Sequence, residues 1–256
     1  MSPIKTQTYE QLAVEIHPSN DALGEAAALY LIQQINDRLK TQETVNLIFA
    51  TGNSMLTLYA GLRKHAGETN WSKVRIFHMD EYVGISETHS ASFRCYLHGK
   101  IIDILKPLAF FEVIGDAADS WEECKRYARL LSEYPADICC LGIGENGHLA
   151  FNDPPYADFD DPETVKIVKL ADKSRYQQVG EGHFASFEDV PAEAITLTIP
   201  VLLAPSCVLA IVPEARKAQA VKDALTGPIT EDCPASILRQ TPQTRLFLDT
   251  ESASLL

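Results

Sequence analysis

Positive charge is what this sequence lacks. Its 256 residues carry 22 Lys and Arg against 35 Asp and Glu, a formal net charge of −13. A general binder of phosphate backbones needs a basic surface to displace counterions, so nucleic acid is not an expected partner. A small anion is not excluded, because a local cluster of donors outweighs a distant field. Long apolar runs are absent as well. None approaches the roughly 18 residues that suggest a membrane span, and the start, MSPIKTQTYEQLAVEIH, lacks the pattern of a signal peptide. A cytoplasmic protein without a membrane partner is the expectation. Cysteine is sparse and unpatterned. Cys95, Cys124, Cys139, Cys140, Cys207 and Cys233 form no C-x-x-C pair, and none has a histidine at zinc-ligand spacing. Cys139, Cys140 and Cys207 sit in apolar runs, where cysteine behaves as a small buried hydrophobe. Internal repeats and low-complexity linkers are also missing, so residues 1–256 read as one domain.

What is present is an alternation of strand-like and helix-like segments. VNLIFA (45–50), KVRIFHM (73–79), ADICCLGIG (136–144), AITLTIP (194–200), CVLAIVP (207–213) and RLFLDT (245–250) are short apolar runs suited to strands. Helical spacing marks residues 21–39, 55–65, 120–134 and 214–227, with Asn20 or Asp21 able to cap the first. The pattern predicts an α/β fold with a mostly parallel sheet flanked by helices on both faces. The stretch from Asn152 to Asp161, rich in proline and acid, reads either as a solvated loop or as a lid over a substrate.

In such sheets ligands bind where strands end and loops lead into helices. Four strand ends carry polar chemistry: Thr51-Gly52-Asn53-Ser54, Asp80-Glu81-Tyr82, Glu145-Asn146-Gly147-His148 and Glu214-Ala215-Arg216-Lys217. The first places glycine and hydroxyls before a helix, as an anion site or an ordinary cap. Asp80-Glu81 is a carboxylate site or a polar strand exit. Lys217, early in a helix where positive charge opposes the dipole, is a ligand group or an exposed lysine. GIGENG (142–147) fits the dinucleotide fingerprint, yet Asp153-Pro154-Pro155 prevents the long helix that motif requires. The glycines are better read as presenting Asn146 and His148, with Asp153 close enough in sequence to fix a histidine tautomer. A structural histidine stays open.

Taken together, MDEYVG (79–84), HSASF (89–93), LGIGENGHLAFNDP (141–154), TGNS, RKAQAVKDALTG (216–227) and PASIL (234–238) resemble the motifs of glucosamine-6-phosphate deaminases, in order and over nearly the whole chain. The resemblance implies a modified Rossmann-like fold and conversion of glucosamine 6-phosphate and water to fructose 6-phosphate and ammonia, without metal or organic cofactor. It implies that His148 opens the pyranose ring, that Asn146 and Asp153 support that step, and that Asp80 moves a proton from C2 to C1. Thr51, Gly52, Asn53, Ser54 and Lys217 would hold the phosphate.

Several positions depart from the pattern. Asp153 stands where the family usually has glutamate, and Asn146 where some members have aspartate. VGEGHF (179–184) lacks the arginine that many members use for phosphate, leaving Arg175 or His183 as substitutes. The chain stops at Leu256 without the longer tail of the allosterically regulated hexameric members, so regulation and a hexamer are not expected, while a homo-oligomer stays open. Three readings follow: the deaminase; a galactosamine-6-phosphate deaminase or 6-phosphogluconolactonase on the same fold; and a non-catalytic sugar-phosphate sensor.

Overall fold

The computed structural model describes residues 2–180, 182 and 184–256. Among these residues eleven strands form two sheets: β1 (Lys5–Tyr9), β2 (Leu12–His17), β3 (Val45–Phe49), β4 (Val74–His78), β5 (Asp80–Tyr82), β6 (Ala109–Phe111), β7 (Ile138–Leu141), β8 (Val165–Lys169), β9 (Glu193–Leu197), β10 (Cys207–Val212) and β11 (Thr244–Asp249). The larger sheet runs β1-β2-β11-β10-β7-β3-β4-β6. Every pairing in it is parallel except the β1–β2 hairpin. All residues of β3, β7 and β10 are buried, so both faces of the sheet centre are covered, as their continuous apolar runs predicted.

The order of strands decides where a ligand goes. From β3 the chain proceeds outward through β4 to β6, then returns to the other side of β3 as β7 and continues through β10 to β11. The direction reverses between β3 and β7. Loops leaving two such strands diverge to opposite faces and open a crevice at their C-terminal ends. Residues 50–55 and 142–148 are the segments that leave these two ends.

Local chemistry sets the helix boundaries. Helix Asn20–Arg38 is capped by Ser19, whose hydroxyl accepts from the Ala22 N–H at 3.2 Å, rather than by Asn20 or Asp21. A serine in extended backbone just outside the first turn can reach that amide, whereas residues already inside the turn cannot. Gly24 lets this helix lie directly on Thr57 of helix Leu56–Lys64; a side chain there would overlap the Thr57 backbone. That contact anchors the helix following the Thr51–Ser54 turn. Asp119 caps helix Ser120–Glu133 through the Trp121 and Glu122 amides.

Two predictions need correction. AITLTIP does not join the main sheet: its strand, β9, lies between β5 and β8 in a small antiparallel sheet, and Ile199–Leu203 is helical. An apolar run signals burial, but nothing in it says which sheet does the burying. The segment after β10 is a single 3-10 turn, Ala215–Lys217, and the helix starts at Ala218. The small sheet carries its own aromatic cluster of Tyr82, Phe151 and Phe184, with Phe93 packed against it. Since β5 follows β4 after Met79 alone, Asp80 sits where the two sheets meet.

Candidate active site

The crevice at the reversal point is lined by Ala50, Thr51–Ser54, Met79, Asp80, Ser90, Ala91, Phe93, Tyr96, Gly142–Gly144, His148, Ala150, Phe151, Gln178, Arg216 and Lys217. All four strand ends therefore converge, because the strands that carry them are parallel neighbours. Residues 152–161 do not line it. Asn152 and Asp153 are buried, Lys166 bonds the Tyr156 carbonyl at 2.7 Å, and Glu231 accepts from the Phe159 N–H at 2.9 Å. This segment is pinned to the body instead of lying over the pocket.

His148 is held from behind. Its Nδ1 lies 2.7 Å from Asn146 Oδ1 and 2.9 Å from Asp153 Oδ1, and Asn146 Nδ2 donates to the same Asp153 oxygen at 2.7 Å. Two acceptors on one ring nitrogen assign the proton to Nδ1 and leave Nε2 as the basic nitrogen. His148 lines the pocket, whereas Asn146 and Asp153 stand behind it. The His148 ring also lies flat against Gly144, so close that any side chain at 144 would occupy the ring's place. The glycine spacing that mimics a dinucleotide fingerprint serves this approach. No helix follows it; residues 142–155 are turns and irregular backbone, with an isolated bridge between Leu149 and Asn152.

Asp80 differs. It is 6% exposed, lines the pocket, and its Oδ1 has no hydrogen-bond partner. Burial, and then the neighbouring Glu81 charge, hold its carboxyl well above the usual carboxylate range. Glu81 points the other way along the strand. It accepts from Ser92 Oγ at 2.8 Å and from the Tyr82, Phe93 and Arg94 amides at 3.0–3.1 Å. These bonds tie segment 90–93 of the pocket wall to β5 and cap the turn that begins at Phe93. Burial still raises Glu81, against the pull of those donors. The residue pattern alone did not separate this structural carboxylate from its neighbour; only the family resemblance pointed to Asp80. Sequence reasoning also passed over His78, the fully buried last residue of β4, which burial depresses to about 3 and whose Nε2 accepts from the Val113 N–H at 2.7 Å.

The Thr51–Ser54 turn and Lys217 share the pocket with Asp80 and His148. Gly52 has φ +94° and its carbonyl accepts from Tyr96 Oη at 2.8 Å, fixing the turn. Arg175 does not reach the pocket: its Nη2 donates to the Phe187 and Val190 carbonyls and its guanidinium stacks on the Phe187 ring at 3.8 Å. His183 lies outside the described residues. Among the lining residues missed as site candidates are Tyr96, Gln178 and Arg216. Arg216 was visible within RKAQ, but only the pocket shows that it faces the same space as Lys217. Among the described residues no group of three metal-ligating side chains occurs, and no helix is long and apolar enough to cross a membrane.

Comparison with known proteins identifies the family and the fold. The family model described as glucosamine-6-phosphate isomerases/6-phosphogluconolactonase matches residues 18–247. The glucosamine-6-phosphate deaminase of Bacillus cereus (strain G9842) is 38% identical over 221 residues, 86% of this chain and 82% of that protein. The enzyme of the same name from Bacillus thuringiensis (strain Al Hakam) is 37% identical over the same shares. A solved monomeric glucosamine-6-phosphate deaminase superposes with a TM-score of 0.87 at 29% identity, covering 95% of this chain and 99% of that one. The 6-phosphogluconolactonase of Trypanosoma brucei shares the fold at a TM-score of 0.79 and 17% identity, over 98% and 100% of the two chains. With both its profile and its fold matched across the crevice-forming loops, the chain belongs to the family of glucosamine-6-phosphate isomerases and 6-phosphogluconolactonases.

Proposed function

We propose that this chain converts glucosamine 6-phosphate and water to fructose 6-phosphate and ammonia, a ketol-isomerising hydrolysis. The observation that carries the reading is Asp80: a buried carboxylate on the pocket wall with one oxygen lacking any protein partner. Such a group is costly unless used, and its raised proton affinity suits removal of a proton from carbon. His148 Nε2 moves a proton between the C1 hydroxyl and the ring oxygen, with Nδ1 fixed by Asn146 and Asp153. Asp80 then takes the C2 proton of the open-chain sugar and returns it to C1. The resulting C2 iminium adds water and releases ammonia. Thr51–Ser54 and Lys217 bind the phosphate, so that contacts remote from the reacting carbons orient them.

A lactonase needs a positioned water but no carbon base, so an Asp80 whose Oδ1 lacks a protein partner favours the deaminase over the lactonase and over a sensor. The named Bacillus relatives support the same choice. The six unpaired cysteines suit the reducing cytoplasm, where we place the protein. The test is direct. Wild-type protein should form ammonia and fructose 6-phosphate in equal amounts from glucosamine 6-phosphate. With ammonium present, it should exchange the C1 hydrogen of fructose 6-phosphate with solvent deuterium. Bound substrate without exchange overturns the reading.

A further inference from the structure

We propose that Asp249 is a positioning residue of the crevice, holding the strained backbone turn that carries Lys217 to its place in the wall. The proposal rests on the sugar-phosphate reading above, because Lys217 is the group through which Asp249 acts on the ligand. Asp249 ends β11, the parallel neighbour of β10, and does not itself line the crevice. The register pairs Val212 with Leu248, so Asp249 lies alongside the chain as it leaves β10 towards Glu214.

Glu214 is where that chain bends. Its φ of +80° and ψ of 142° are natural to glycine and strained for a residue with a Cβ. Asp249 Oδ2 accepts from the Glu214 N–H at 3.1 Å. The carboxylate is sealed from solvent, and its Oδ1 accepts from the Ser252 N–H at 2.7 Å, which locks it from the far side. Ser252 Oγ in turn accepts from the Asp249 N–H at 3.1 Å. Beyond the bend, the Glu214 carbonyl accepts from the Lys217 N–H at 3.0 Å and closes the 3-10 turn Ala215–Lys217. Lys217 is buried and lines the crevice with Thr51–Ser54 and His148. Backbone strain persists only where the surroundings over-determine it. A buried carboxylate on an amide is a charge-assisted bond, stronger than a neutral one, and here it falls on the strained residue itself. Without it, Glu214 is free to relax to negative φ, and the turn that ends in Lys217 moves with it.

Asp249→Ala is compared with wild type in steady-state assays on glucosamine 6-phosphate, in calorimetry with inorganic phosphate, and in urea melts. Asp249→Asn, which keeps one acceptor oxygen, takes its place if the alanine variant misfolds. Asp249→Ala should raise KM and phosphate Kd by roughly tenfold, the scale of one charge-assisted bond, with kcat at saturation within about twofold of wild type. Ser252→Ala leaves the Glu214 bond in place, so it should lower the urea midpoint without moving KM or phosphate Kd. The Glu214 side chain also bonds Arg216 Nε at 2.6 Å, so backbone and side chain are separated by two substitutions at 214. Glu214→Gly and Glu214→Ala both delete the carboxylate, and only glycine relieves the φ. The phosphate loss on adding Asp249→Ala should shrink in the Glu214→Gly background and persist in Glu214→Ala. Equal losses in the two backgrounds overturn the proposal. So does an Asp249→Ala that lowers the urea midpoint with KM and phosphate Kd unchanged, which leaves Asp249 a brace of the fold alone. If wild type turns over no amino-sugar phosphate while Asp249→Ala weakens phosphate in this background-dependent way, the reaction assigned above fails and the positioning role stands.

Discussion

Asp153 and Asp80 are both nearly sealed from solvent, 2% and 6% exposed, yet the protein surrounds them differently. Asp153 accepts from the Asn146 amide and faces the His148 Nδ1–H, so its charge is spent on orienting two side chains. Asp80 keeps one oxygen without a protein donor, and burial lifts its proton affinity. One carboxylate is finished by its neighbours; the other is left for a substrate to complete. Environment, rather than residue type, separates the group that positions from the group that reacts.

That contrast predicts a graded set of losses. Asp80→Asn keeps the shape and removes the base, so turnover should fall by about 10⁴, the upper end for an acid–base group. Fructose 6-phosphate should still bind while C1 exchange disappears, which NMR in deuterium oxide would detect. Exchange persisting in this variant would move the base to another residue. His148→Ala should cost less, about 10²–10³ in kcat on the cyclic sugar, because rings open slowly without help. Near-normal kinetics would sink the assignment of ring opening to this histidine.

Gly144→Ala tests the other side of the comparison without touching a polar group. The added methyl falls on the His148 ring, so the ring must leave its Asn146–Asp153 support. A displacement of about 1 Å costs up to roughly 10²-fold in rate, and kcat should drop accordingly while the protein stays folded by circular dichroism. An unchanged kcat would show that the ring's tight seat is dispensable.

The smallest effect is thermodynamic. Asp80 binds its proton more tightly in the folded than in the unfolded chain. Above the unfolded carboxylate pKa of about 4 the native state therefore holds more protons, and wild-type stability declines as pH rises. Urea melts from pH 4 to 8 should show a steeper decline for wild type than for Asp80→Asn, with the two converging at the acid end. Parallel curves would mean that Asp80 ionises as easily folded as unfolded.

Much of the scaffold was legible because one force dominated it. The runs 45–50, 138–141 and 207–212 are apolar at every or nearly every position, and only a sheet covered on both faces buries such runs completely. The β1–β2 hairpin escaped notice because β1 is largely exposed, so KTQTY carries no burial pattern to read. AITLTIP was recognisable as a strand but not as a member of the second sheet, since pairing partners are chosen by chain geometry far away in sequence. The lid reading of 152–161 failed because composition cannot show that Asn152 and Asp153 are buried against the site's own loop.

By itself the sequence determined the alternation of strands and helices, the polar residues at four strand ends, and the glycines that present His148. Local pattern suffices for these, because periodicity, turn chemistry and helix signals act over a few residues. Apart from the family resemblance, which pointed to Asp80, nothing local in the sequence says which member of Asp80-Glu81 lines the pocket; tertiary structure decides it. Successive residues of a strand point to opposite sides, and four donors happen to meet Glu81 while Asp80 Oδ1 meets none. Two adjacent carboxylates of nearly equal intrinsic acidity become a structural tie and a reactive group only when the segments after residue 90 fold back against one of them.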